Sequence, residues 1–476
     1  MEKPTHIVVV PSPWFSIQAS VMEFCKRLIQ HSKELHVTCL VPTLGSPTEA
    51  TKAMFQTLPS PSRLHSTFLP PLHYDHLPQD IPKPVQITPL LFGITVTRSL
   101  PYIRDALHSL RSSSRLVAMV ADLFSSDALI CAKELNMLSF IYLPTSATTL
   151  SLYLNLPKLD LAISPEIKDL PEPIEIPGCV QLHREDLPKP IQDRTSPLYA
   201  FFLQRCRKFY EADGILVTSF EDIEAGPIRA LTDEASGYPN VYPMGPIIQS
   251  GSGTLNSHEC LRWLDNQVPN SVLYVSFGSG AKLSQDQLNE LALGLELSGK
   301  KFLWVVRAPS ESPNPAHVNY ESSGDPLQFL PNGFIERTKE QGLVVPSWAP
   351  QVQVLSHNAT GGFLTHCGWN SALESIVNGV PLIAWPLFAE QGVNAVLLTD
   401  GLNVALRPKA NEHGLVEREQ VALVVGRLIQ GEEGREMGRR MQKLKAAAAK
   451  TFHKDGSSLK TLIQLVVRLE GKLDHE

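Results

Sequence analysis

Short runs of apolar and β-branched residues alternate with helical stretches twice along this chain, on either side of a glycine-rich break. In the first half the strand-like runs are residues 6–11, 35–42, 116–124, 138–145 and 214–220; in the second they are 272–277, 302–307, 343–346, 362–365 and 381–385. Such alternation specifies parallel sheets with helices on both faces, because a parallel crossover needs a helix-length connection. Between the first two runs Ile17, Val21, Phe24, Cys25, Leu28 and Ile29 recur at helical spacing, so that segment should lay one face on the sheet. The break, Gly245-Pro246 and Gly251-Ser252-Gly253, is a flexible polar linker. A chain of 476 residues also exceeds what one core organises. The expected fold class is therefore α/β, with two Rossmann-like doubly wound domains facing a cleft. Residues 1–245 are expected to form the first domain, 246–262 the linker, 263–455 the second domain, and 456–476 a last helix packing back on the first. Pro-rich stretches at 59–89 and 157–190 read as long loops over a site. Ser284, with Gln287 three residues on, reads as a helix start.

Several function classes are excluded by bulk properties. A net charge of -6 and a pI near 6.2 give no electrostatic basis for nucleic acid or an anionic membrane as partner. The start MEKPTHIVVVPSP lacks the pattern of an export signal, and the most apolar stretch, 116–132, is broken by Asp122, Ser125, Ser126 and Asp127. A cytoplasmic monomer is expected. The seven cysteines form no CxxC pair, so no metal site is implied and reduced thiols are expected. The partner left is a small molecule.

Chemistry concentrates between residues 348 and 391, WAPQVQVLSHNATGGFLTHCGWNSALESIVNGVPLIAWPLFAEQ. Gly361-Gly362 lead into a strand, Thr365 to Gly368 make the turn, and Trp369-Asn370-Ser371 open a helix. Free N–H groups at a helix start, with the Ser371 hydroxyl and the His366 imidazole beside them, form a site for a pyrophosphate. Either residue alone could be structural, Ser371 as a cap and His366 as a core histidine. Their combination points to a nucleotide-sugar cradle.

This segment resembles the plant secondary-product glycosyltransferase signature of the UDP-glycosyltransferase family, without a gap. Beyond it, YVSFGSG, PLQFLPNGFIERT and HCGWNSALES are similar to phenol and monolignol glucosyltransferases of the arbutin-synthase type. The resemblance implies a GT-B fold and an inverting transfer of glucose from UDP-glucose, the co-substrate, without a bound cofactor. It places Trp348 on the uracil face, with Ala349 and Gln351 binding its edge, and Glu374 on the ribose hydroxyls. Ser279, His366, Asn370 and Ser371 would bind the diphosphate, and Trp369, Glu390 and Gln391 the sugar. Gln391 at the end of the signature favours glucose over galactose.

The first strand breaks the pattern. The family carries a histidine there, in a motif like PSPGMGHLIPL, which takes the acceptor proton while a downstream aspartate orients it. Here the segment is Pro11-Ser12-Pro13-Trp14-Phe15-Ser16-Ile17, and Ile17 holds the histidine position. Asp122 stands at the end of its strand, as orienting carboxylate, direct base or local helix cap. Trp14, Phe15, Ile17, Asp122 and Thr145 are the acceptor-pocket candidates. His73 and His76 read as solvated loop residues.

Losing a general base costs about 10² to 10⁴ in rate. A phenol of pKa about 10 is ionised to about one part in 10³ at neutral pH, so an acceptor three units more acidic compensates. The sequence thus points to an acidic phenol, enol or carboxylate. A non-catalytic nucleotide-sugar-binding protein is the second reading. A dinucleotide-dependent dehydrogenase ranks last, because Leu283 stands where the third glycine of that fingerprint belongs.

Overall fold

The computed structural model describes residues 3–56, 62–73, 88–162, 173–249, 258–310 and 324–471. The first domain contains β1 (Thr5–Val10), β2 (Leu35–Val41), β3 (Leu64–Phe68), β4 (Arg115–Asp122), β5 (Leu138–Leu143), β6 (Gly214–Val217) and β7 (Val241–Pro243). They form a sheet in the order β3-β2-β1-β4-β5-β6-β7, every pairing parallel. The second contains β8 (Val272–Ser276), β9 (Lys301–Val306), β10 (Gly342–Pro346), β11 (Thr360–Thr365), β12 (Leu382–Ala384) and β13 (Ala405–Leu406), in the order β10-β9-β8-β11-β12-β13. Strand order reverses at β1/β4 and at β8/β11, the two switch points where α/β sheets open a crevice beyond their carboxyl ends.

The reason β1 reads as THIVVV, without alternation, is burial on both faces. Ile7 and Val9 pack with Val21, Phe24, Leu28 and Ile29 of the helix Phe15–His31. Val8 and Val10 pack with Val96, Ile103 and Leu107 of the helix Thr88–Ser113. The last helix, Ser457–Glu470, lies on the first domain and buries Leu462, Leu465, Val466 and Leu469 against the β1 face. Each such aliphatic side chain contributes about 1.5–3 kcal/mol when fully buried. Its end is tied down by Ser32 Oγ donating to Glu470 Oε1 at 2.5 Å and by Arg468 donating to the Tyr242 hydroxyl at 2.5 Å.

Polar contacts join the domains around the cleft. Arg407 Nη1 lies 2.7 Å from Asp186 Oδ1, Ser146 Oγ 2.9 Å from Asn394 Oδ1, and Trp369 Nε1 3.2 Å from the Thr218 carbonyl oxygen. No helix among the described residues is long and apolar enough to cross a membrane.

Several sequence expectations change. The stretch 59–89 is not one loop, because β3 lies within it; 57–61 and 74–87, including His76, fall outside the described residues. Pro157 sits inside the helix Ala147–Ala162 rather than opening a loop. The helix Glu259–Asp265 already occupies the end of the expected linker. Ser284 Oγ accepts from Gln287 N–H at 3.2 Å as expected, but the Gln287 side chain pairs with the Val416 main chain instead of reaching back to the cap.

Candidate functional site

At the β8/β11 switch point the turn Gly278-Ser279-Gly280 faces the turn after β11, and His366 stands between them. A Cβ on Gly278 would come within 2.5 Å of the imidazole Cε1, and one on Gly368 within 2.5 Å of Nε2. Two glycines thus clamp the ring, Gly278 also needing its φ of +75°. Burial, reinforced by the charge of Arg307, pushes the His366 imidazole down to about 4. It is neutral at physiological pH and offers one N–H.

The helix Trp369–Asn378 starts at Gly368 without a side-chain cap, so its first N–H groups remain open to an anion. Asn370 donates Nδ2 to the Ser16 carbonyl at 3.4 Å, and its buried Oδ1 has no partner among the described residues. Trp369 is turned inward. Its indole is 2% exposed and bonded to the Thr218 carbonyl, which leaves its main chain as the part that faces the turn.

One network joins Gln351, Ser371 and Glu374. Gln351 Nε2 donates to Ser371 Oγ at 3.0 Å and to Glu374 Oε2 at 2.7 Å. Ser371 accepts there, which leaves its own O–H to donate. Burial pushes the Glu374 carboxyl up to about 7 against the opposing Gln351 bond. Two ribose hydroxyls donating to it would restore the ionised form. Trp348 stays 62% exposed, held out by Ser347 at φ 65° and braced edge-on by His258 at 5.7 Å. Ala349 beside it is buried.

At the start of the helix Gln391–Val396, Gln391 Oε1 accepts from the N–H groups of Leu387 at 2.8 Å and Phe388 at 3.0 Å. Its carbonyl shapes the loop, and the amide NH₂ is the end left for a ligand. Glu390, half-buried, has its carboxyl pushed up by burial. Across the cleft Thr145 Oγ1 is buried with no partner among the described residues.

On the acceptor side Asp122 is 1% exposed. Its Oδ2 accepts from Ser12 N–H at 2.5 Å, and its Oδ1 from Phe124 N–H at 2.8 Å and Ser125 N–H at 3.3 Å. Burial still pushes its carboxyl upward against those bonds. Ile17 is half-buried on the helix Phe15–His31 and packs on both apolar clusters of the first domain. Trp14 leans on Phe92 at 5.6 Å and Phe124 at 5.8 Å, so its ring is committed to packing, while Phe15 is half-buried at the helix start.

Three participants escaped sequence reasoning. Arg307, just past β9, donates Nη1 to the Ser279 carbonyl. Glu224, buried, accepts from Ala147 and Thr148 N–H at 2.8 Å each and holds the turn that carries Thr145. Asn394 Nδ2 donates to the Cys367 carbonyl at 3.0 Å. For Arg307 alone a signal existed: a basic residue at the carboxyl end of a strand-like run, across from a glycine turn.

Two switch-point sheets facing one cleft, with a capless helix start and an exposed aromatic platform, fit the architecture of a GT-B glycosyltransferase, and comparison with known proteins establishes that class. The family model for UDP-glucoronosyl and UDP-glucosyl transferase matches residues 240–412. Hydroquinone glucosyltransferase of Rauvolfia serpentina is 47% identical over 99% of both chains, and UDP-glycosyltransferase 72B1 of Arabidopsis thaliana is 46% identical over 97% of this chain and 95% of its own. Among solved structures, Phytolacca americana UGT2 complexed with UDP-2fluoro-glucose and pterostilbene has a TM-score of 0.89 at 44% identity, covering 98% of this chain and 99% of that one. A UDP-glucosyltransferase from Polygonum tinctorium capable of glucosylating indoxyl, in complex with 3,4-dichloroaniline, has a TM-score of 0.90 at 44% identity, covering 99% of each. The chain belongs to the plant UDP-glycosyltransferase family and is a UDP-sugar-dependent glycosyltransferase.

Proposed function

We propose that the chain transfers glucose from UDP-glucose to a small aromatic acceptor whose attacking group is acidic: a phenol of low pKa, an enol or a carboxylate. The observation that carries this is the pairing of Ile17 with an Asp122 whose two oxygens are taken up by main-chain N–H groups. Ile17 has no proton-accepting atom and Asp122 already holds three main-chain N–H groups, which favours an acceptor that arrives ionised or nearly so. Relatives support the aromatic class, being named for hydroquinone and solved with pterostilbene.

On the donor side Trp348 stacks on uracil, Ala349 and Gln351 hold its edge, and Glu374 takes the ribose. Ser279, His366, Asn370 and Ser371 surround the diphosphate; Glu390, Gln391 and the Trp369 main chain take the sugar hydroxyls, and Thr145 offers its hydroxyl from the other domain. The acceptor oxygen attacks the anomeric carbon in line, the bond to UDP breaks, and an α-linked donor gives a β-glucoside. The helix start and neutral N–H donors receive the charge that develops on the diphosphate, the kind of term that dominates such barriers.

The same pairing favours a second reading, a protein that binds the nucleotide sugar without turning it over. Incubation with UDP-glucose and a panel of acidic phenols, read by mass spectrometry, separates the two. Glucoside formation supports transfer; donor binding by calorimetry with no product from any acceptor leaves the binding protein.

A further inference from the structure

The turn that must meet the diphosphate is flanked by glycines, and glycines leave a backbone loose. Arg307 ties it down. Its Nη1 donates to the Ser279 carbonyl, and it lines one small cavity together with Ser276 and Gly278. A trans peptide is planar, so the C=O of Ser279 and the N–H of Gly280 point in opposite directions. Drawing the carbonyl towards Arg307 turns the Gly280 N–H away from it, and that N–H has no main-chain acceptor among the described residues. Arg307 also reaches His366 electrostatically, the ring being held by Gly278, Gly368 and a 3.5 Å approach of Thr365 Oγ1 to Nδ1.

We propose that Arg307 is the positioning residue of the diphosphate site: it fixes the turn 278–280 so that the Gly280 N–H faces the anion, and it sets a permanent positive charge beside His366. The inference rests on the donor-site reading above. Its physical basis is preorganisation, because a donor already aimed needs no reorientation as charge builds on the leaving group. Guanidinium suits the task, since it keeps its charge when buried and its planar fork fixes direction. Burial, reinforced by this charge, keeps His366 neutral, so that the imidazole is a single oriented donor.

The test is calorimetric titration of uridine and of UDP into wild type, Arg307→Gln, Arg307→Lys and Trp348→Ala. Arg307→Gln is expected to weaken UDP about tenfold or more, the scale of one hydrogen bond to a charged group, with uridine affinity unchanged. Arg307→Lys, which keeps the charge, should recover part of that loss. In imidazole NMR the His366 pKa should rise in Arg307→Gln and stay depressed in Arg307→Lys, a response that a merely structural role would not give. Unchanged UDP affinity in Arg307→Gln, or equal losses for uridine and UDP, overturns the proposal. Should Arg307→Gln fail to fold, Arg307→Lys decides: a UDP-selective loss supports the role, and wild-type or unselective behaviour refutes it. Trp348→Ala separates the premises. If it changes neither ligand's affinity, the donor-site reading fails; if it weakens both while Arg307→Gln leaves UDP untouched, only the role of Arg307 does.

Discussion

The Asp122 carboxylate accepts the Ser12 main-chain N–H at 2.5 Å, joining the end of β4 to the loop that follows β1. In a site with a base histidine, that carboxylate would face the imidazole; here it anchors backbone. Asp122→Ala should therefore act first on stability, because it orphans buried N–H groups at about 1–3 kcal/mol each. Asp122→Asn keeps an acceptor, and its kcat/KM on an acidic phenol should fall less than about tenfold. Chemical denaturation and steady-state rates check both. A folded Asp122→Asn variant without turnover would instead make Asp122 the base.

Donor binding should depend on pH through Glu374. Its carboxyl, pushed up to about 7, must be ionised to accept both ribose hydroxyls, so UDP affinity should rise from pH 6 to 8. Glu374→Gln should bind UDP more weakly and without that slope, as isothermal titration across the range would show.

Opposite pH trends in stability should come from Glu374 and His6. Burial and the neighbouring His36 and His65 push His6 from 6.5 down to about 4, so the unfolded chain binds more protons between those values. The stability His6 provides is present above 6.5 and lost as pH falls through 4, by at most about 3 kcal/mol. Glu374 is raised from 4.5 to about 7, so its contribution is present below 4.5 and lost as pH rises through 7. Urea unfolding of His6→Gln, which keeps a partner for Thr38, should show less acid loss between pH 6.5 and 4; Glu374→Gln should show less loss towards pH 7.

Most of the fold was legible because parallel strands buried on both faces leave continuous apolar runs, as in β1 and β8. The short edge strands β7 and β13 were not, since three residues and two residues carry no period. Across residues 348–391 the family resemblance nominated donor-site residues but not the contacts they make. That Gln351 spans Ser371 and Glu374, or that the Trp369 indole crosses to Thr218, depends on contacts distant in sequence. Arg307 carried only a general signal, a basic residue closing a strand-like run, because its partner, a carbonyl oxygen, has no sequence signature.

Restoring the imidazole should change which acceptors react. Ile17 and Trp14 both pack on the core of the first domain, and a carboxylate has about four acceptor positions, so Asp122 could still receive one more donor. Ile17→His should raise turnover of ordinary phenols more than that of acidic ones, by up to about 10². Product formation on paired phenols of high and low pKa checks this; an idle variant would mean that the new ring does not reach the acceptor.

The most direct measurement is wild-type kcat/KM over a series of phenols of similar size, with pKa from about 7 to 10, at fixed neutral pH. A site without a base should give log kcat/KM rising steadily as acceptor pKa falls, and Ile17→His should flatten that line. A flat wild-type line, with ordinary and acidic phenols turned over alike, would contradict the claim that the acceptor supplies its own acidity.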